Sequence, residues 1–144
     1  MVLGVNMRSV RPSPDSKIKF RYLAEHDVVL AHVEWQLESK KDVDEWLSTY
    51  ADYFGRNHKG SRVDVIFELS KFSVSPRIGA AFGEARAKLM TQFTRRTYRV
   101  NLDDATKTAM YTSRVLHGAA ANDFASIEDA IAQLKADRAS DGEA

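Results

Sequence analysis

The chain alternates between stretches of strand-like and helix-like hydrophobic spacing. In KIKFRYL, Ile18, Phe20 and Tyr22 alternate with Lys17, Lys19 and Arg21. That is the period of a half-exposed strand near a sheet edge, where lysines discourage mispairing. After a short AEHD turn, DVVLAHVEWQL sets Val29, Ala31, Val33, Trp35 and Leu37 on one face and Val28, Leu30, His32 and Glu34 on the other. This predicts the second strand of a hairpin. Ser39 next predicts an N-cap, with Asp42 three residues on closing a capping box. Val43, Trp46, Leu47, Tyr50 and Phe54 follow at helical spacing, and RNHKG ends the helix, with Gly60 able to turn left-handed.

RVDVIFEL is more continuously apolar, as an interior strand requires. A helix is predicted to begin at Ser75-Pro76, with Ile78, Ala81, Phe82, Ala85, Leu89 and Phe93 on one face. TYRVNL supplies a strand. Asp103 or Asp104 can cap a further helix through Ala105, Ala109, Thr112 and Leu116, ended by Gly118. An extended piece around Phe124 leads to Ser126, which caps a last helix burying Ile127, Ala130, Ile131 and Leu134, with Asp129 in the box position. The expected order is β-β-α-β-α-β-α-β-α: an α/β domain with a mixed sheet, an N-terminal hairpin and right-handed crossovers after it. Residues 1–16, broken by Pro12 and Pro14, are expected to be a flexible leader, with Met7 a second candidate start. Residues 17–138 form the domain, and 139–144 a disordered tail.

Composition narrows the function classes. A chain of 144 residues fits one domain, and 44% hydrophobic with 28% charged residues is an ordinary globular balance. The formal net charge of +1 lacks the basic excess of a nucleic-acid binder. There is no cysteine, which excludes disulfides, thiolate catalysis and Cys-based zinc sites. No apolar run is long enough to span a bilayer, so the expected compartment is the cytoplasm.

The element order, with three segments, resembles the STAS family and its SpoIIAA-like relatives, the anti-sigma-factor antagonists and kindred bacterial regulatory modules. VDVIFELSKF looks like the family's third strand, IGAAFGEA is similar to the Gly-Ala-rich start of the following helix, and NDFASIEDAIAQL resembles the closing strand and helix. The similarity of order runs from Lys17 to Arg138. It implies helices mainly on one face of the sheet, which would leave some of Val28, Leu30 and His32 for a partner or for a homodimer. It also implies a phosphorylated Ser, preceded by Asp, in the loop before the second helix. Here that loop is SKFSVSPRIGA, shorter, with no Asp before Ser73 or Ser75, so the departure falls on the functional motif itself.

Ser75 therefore has two readings. It is a good N-cap with Pro76 at the first helical position, and it is a phosphorylation candidate beside Arg77, with Ser73 as the backup and Ser70 a weaker third. Lys71, Phe72, Arg77 and Arg86 are expected on an interaction surface around the Ser70–Gly79 loop. Arg86, Lys88, Arg95, Arg96 and Arg99 form the main basic concentration, which helix-dipole contacts or an acidic partner would explain. His26, His32, His58 and His117 show no metal-ligand spacing, and no G-x-S-x-G elbow or phosphate loop is present. No metal and no cofactor is expected. The function implied is a non-enzymatic regulatory module with a protein partner, a kinase or an anti-sigma-type regulator. The alternative is a SpoIIAA-like carrier of a small apolar ligand or lipid, which would need a cavity between sheet and helices.

Overall fold

The structure, a computed structural model, describes residues 17–101 and 122–142. Its strands are β1 (Ile18–Leu23), β2 (Val28–Leu37), β3 (Val63–Val74), β4 (Thr94–Val100) and β5 (Asn122–Phe124). Its helices are α1 (Lys40–Asn57), α2 (Gly79–Gln92) and α3 (Ile127–Ser140), with one 3₁₀ turn, Pro76–Ile78, before α2. The strands form one mixed sheet in the order β1-β2-β3-β4-β5. β1 runs antiparallel to β2 and the remaining pairs are parallel. The helix expected between Asp103 and Gly118 lies outside the described residues. Among the described residues no helix is long and apolar enough to cross a membrane.

Local chemistry sets the helix starts. Ser39 accepts from the Asp42 backbone N–H at 3.2 Å while the Asp42 carboxylate accepts from Ser39 N–H, which is the capping box read from the sequence. Ser126 Oγ likewise accepts from Asp129 N–H at 3.1 Å. Gly60 lies past the end of α1 at φ +78, a backbone region that a Cβ disfavours. The hairpin turn places Asp27 at φ 50, tied by a 2.6 Å bond from Tyr22 Oη.

The sheet is covered on both faces. On one, Val29, Ala31, Val33, Trp35 and Leu37 of β2 join Val65, Phe67, Phe72 and Val74 of β3 against Val43, Trp46, Tyr50 and Phe54 of α1 and Phe82 and Leu89 of α2. On the other, Val28, Leu30, Ile66, Tyr98 and Val100 pack against Ala130 and Leu134 of α3. Val28 and Leu30, expected to remain for a partner, are 0% and 4% exposed because α3 lies over them. Each such buried aliphatic side chain contributes about 1.5–3 kcal/mol, so this second layer is a substantial part of the core. The predicted tail also moves inward: α3 continues to Ser140, and the Asp141 carboxylate pairs with Arg96 at 2.5 Å.

A bulge re-aims the end of β3. His32 pairs with Glu68 and Glu34 with Lys71, so β3 advances one residue more than β2 between those pairs. Ser70 and Lys71 are consecutively exposed there, after which Phe72 and Val74 return to the core. The strand then runs on to Val74, so the first half of the stretch expected as a loop, Ser70 to Val74, is strand.

Candidate functional site

Ser75 sits where β3 ends, at the carboxyl edge of the parallel strands. Its backbone is extended (φ −64, ψ 134), its N–H donates to Leu37 O at 2.8 Å, and its carbonyl accepts from Ile78 N–H at 3.1 Å. Pro76 follows at the first position of the 3₁₀ turn, as expected, yet the Ser75 hydroxyl makes no capping bond. The reason is geometric: α2 proper begins only at Gly79, so Ser75 is a full turn too early to cap it. Ile78 stands at the cap position of α2 with no side-chain bond, and the first turn carries no acidic residue. By contrast, α1 has both a capping box and Asp42. The start of α2 thus keeps backbone donors and a positive dipole end without a local anion.

Arg77 is exposed one residue beyond Pro76, and its guanidinium donates to Glu38 O at 3.3 Å. Ser75, Arg77, Glu38 and the Ser39 cap are therefore neighbours, brought together by the parallel pairing of β2 and β3. Carboxyl ends of parallel strands are where open α/β sheets commonly bind their ligands. Ser73 is half-buried within β3, opposite Gln36. Lys71 is exposed, and its carbonyl accepts from Gln36 Nε2 at 3.1 Å. The other two expected surface residues are corrected: Phe72 is 2% exposed, in contact with Phe82, and Arg86 is 1% exposed on the inner face of α2.

The basic concentration read from the sequence does not form one surface. Arg86 and Arg99 are buried, Arg99 lying 2.7 Å from the Asp123 carboxylate. Arg96 pairs with Asp64 at 3.2 Å as well as with Asp141, while Lys88 and Arg95 are exposed.

The Asp64 pairing belongs to a network that sequence reasoning missed. Asp64, 4% exposed, accepts from Arg96 N–H at 3.0 Å and from Arg138 Nη2 at 2.8 Å. Arg138 also donates to His26 O at 2.6 Å and Asp27 O at 2.8 Å, clamping α3 to the hairpin turn. Beside it, Tyr98 Oη donates to Asp137 at 2.6 Å. Burial and then that bond push the phenol pKa well above its ordinary value. The signal was an acid inside the apolar run RVDVIFEL, where an unpaired carboxylate would be costly. The Asp64 ties lie at the amino ends of β3 and β4, remote along the strands from Ser75.

Two further groups carry polar chemistry. Glu68 accepts from Ser70 Oγ at 3.0 Å and Asn101 Nδ2 at 2.8 Å, and lies 3.8 Å from His32 Nδ1. His32 therefore faces Glu68 across the strands. The Ser70 hydroxyl is the donor in its bond to that carboxylate. Between the sheet and α1 and α2 lies a cavity of about 20 Å³ lined by Trp46, Tyr50, Phe67, Leu69, Phe72, Arg86, Leu89, Met90 and Arg99. It admits about one water molecule, whereas pockets for small organic ligands span roughly 300–1,000 Å³. A lipid would not fit there. Among the described residues no group of three or more His, Asp or Glu could hold a metal ion.

No protein-family model matches the chain, and comparison with curated proteins finds no match.

Proposed function

We propose that this chain is a STAS-like, non-enzymatic regulatory module that binds a protein partner through the carboxyl edge of its sheet. The surface centres on Ser75, Pro76 and Arg77, with Lys71 at its margin, and a phosphate on Ser75 is its control. One observation carries this reading: the Ser75 hydroxyl makes no capping bond, yet it stands beside an exposed Arg77 and an uncapped helix start. The ordinary role of a Ser before Pro, as a helix cap, is therefore not what this position uses.

The mechanism is electrostatic. A phosphate adds about two negative charges at neutral pH and three strong acceptor oxygens. Arg77 would exchange its single bond to the Glu38 carbonyl for a charge-assisted bond to the phosphate, and the donors at the start of α2 favour the same anion. A surface presenting a guanidinium becomes one presenting net negative charge. The core beneath, Phe72, Val74 and Phe82, need not move. A partner of kinase or anti-sigma type in the cytoplasm would read that difference.

Phosphopeptide mapping of the protein isolated from its native cells tests the control directly. The expected result is a phosphorylated fraction with the modification on Ser75 and none on Ser73, which is half-buried within a strand. Phosphate confined to Ser73, or to residues away from this edge, would overturn the assignment.

A further inference from the structure

β1 is the longer of the two border strands of the sheet. It spans six residues in unbroken register with β2, whereas β5, at the other border, spans three. A border strand presents N–H and C=O groups outward, and short length, proline or a bulge commonly blunts it. β1 has neither a proline nor a bulge. Glu34 N–H donates to Lys17 O at 2.7 Å, which fixes the parity of the ladder. Alternation along an antiparallel pair then turns the backbone groups of Lys19 and Arg21 towards β2 and those of Phe20 and Tyr22 outward. Among the described residues no strand lies beyond them.

The side chains of β1 alternate as well. Phe20 stacks on Tyr53 of α1 with centroids 4.0 Å apart, and Tyr22 reaches His58 on the same face. Tyr22 is nevertheless 46% exposed, the one large hydrophobic side chain so exposed among the described residues. Lys19 and Arg21 stand exposed on the opposite face. Neither has an acidic partner among the described residues, whereas Lys40, Lys41 and Arg56 of α1 pair with Asp44, Glu45 and Asp52. These two cations decide what the border accepts. Antiparallel pairing of two copies through Phe20 and Tyr22 would set Arg21 opposite Arg21, and the next register would set Lys19 opposite Arg21. Like charges directly opposite destabilise a strand pair, while opposite charges stabilise it. We propose that β1 takes up an extended segment of a protein partner as a sixth strand of the sheet, with acidic residues set against Lys19 and Arg21 and apolar residues alternating beside Phe20 and Tyr22. This surface shares no residue with the one proposed around Ser75.

The test titrates the isotope-labelled full chain with two end-blocked heptapeptides, VEVEVEV and VKVKVKV, read by amide chemical shifts and hydrogen exchange. The expected result is a saturable response to VEVEVEV centred on the Phe20 and Tyr22 amides, with none to VKVKVKV. Exchange of those two amides should slow in the complex, which separates strand addition from charge attraction alone. In the double variant Lys19→Glu/Arg21→Glu, both sites being exposed, the preference should reverse, with VEVEVEV binding at least about fivefold weaker. Should that variant not fold, the peptide pair still tests the charge rule in the wild type. No saturable response at β1, equal responses to both peptides, or unslowed exchange at Phe20 and Tyr22 would overturn the proposal. So would a dimer of the chain alone paired through β1.

Discussion

Asp64→Ala removes the acceptor at the centre of the clamp between α3, the hairpin turn and the parallel strands. In the wild type this buried carboxylate takes the Arg96 backbone N–H at 3.0 Å, the Arg96 guanidinium at 3.2 Å and Arg138 at 2.8 Å. Deleting it leaves a backbone donor and two cations without that partner. Breaking a buried ion pair by removing one member costs about 3–5 kcal/mol. The Arg138 and Arg96 side chains keep 18% and 13% exposure, and Arg138 retains the His26 and Asp27 carbonyls. Those contacts and that access to water place the loss at the lower end, about 3 kcal/mol. For a domain of this size that is a fall of roughly 10 °C in melting temperature. Urea unfolding followed by far-UV circular dichroism measures it, with an unchanged m-value confirming that the folded and unfolded states are the same. Combining Asp64→Ala with Arg138→Met should cost less than the two separate losses added, by at least about 1 kcal/mol, since the residues share one interaction. A loss under about 1 kcal/mol for Asp64→Ala, or strict additivity in the cycle, would refute the clamp.

Other outcomes follow from the caps and the half-buried imidazole of His58. Ser75→Ala should leave the melting temperature within the effect of a neutral surface change, about 0.5 kcal/mol, because the hydroxyl caps nothing, whereas Ser39→Ala and Ser126→Ala should each cost about 1 kcal/mol. His58 lies among the rings of Tyr22, Tyr53 and Phe54, and burial holds its imidazole pKa below the ordinary value, with Asp27 opposing. The unfolded chain therefore takes up the proton first as the pH falls through about 6.5, so stability declines on the acid side, and His58→Phe should make that decline shallower in melts across pH 5 to 7. An unchanged slope would remove His58 from the acid response.

Much of the fold was legible because it is written locally. The period-two alternation of β1, the Ser39–Asp42 box, the stripe from Val43 to Phe54 and the Ser126 cap each depend on neighbours within a turn, and each stands where the residues place it. What misled depends on contacts distant in sequence. Phe72 and Arg86 look like surface residues beside a loop, but the bulge at Ser70 and Lys71 extends β3 and turns Phe72 inward, while packing of α2 on the sheet buries Arg86. The second apolar face of β2, Val28 and Leu30, required a second layer. Nothing local says that α3, nearly a hundred residues later, supplies it. At the candidate site the Ser75-Pro76 signal located a turn correctly but not its kind. A 3₁₀ turn intervenes, and that displacement separates the serine from the helix it was expected to cap.

The proposed partner surface and the ionic network lie at opposite ends of the strands. Ionic ties at the amino ends of β3 and β4 hold the layers together, and the carboxyl edge presents Ser75 and Arg77. The measurement that tests this most directly is a quantitative affinity capture from native lysate with wild-type, Ser75→Ala and Ser75→Asp baits, read by mass spectrometry. A protein retained equally by wild type and Ser75→Ala and lost from Ser75→Asp is the predicted result, since only the added charge should matter. Equal recovery of the same proteins on all three baits would contradict it and leave Ser75 a residue of the turn alone.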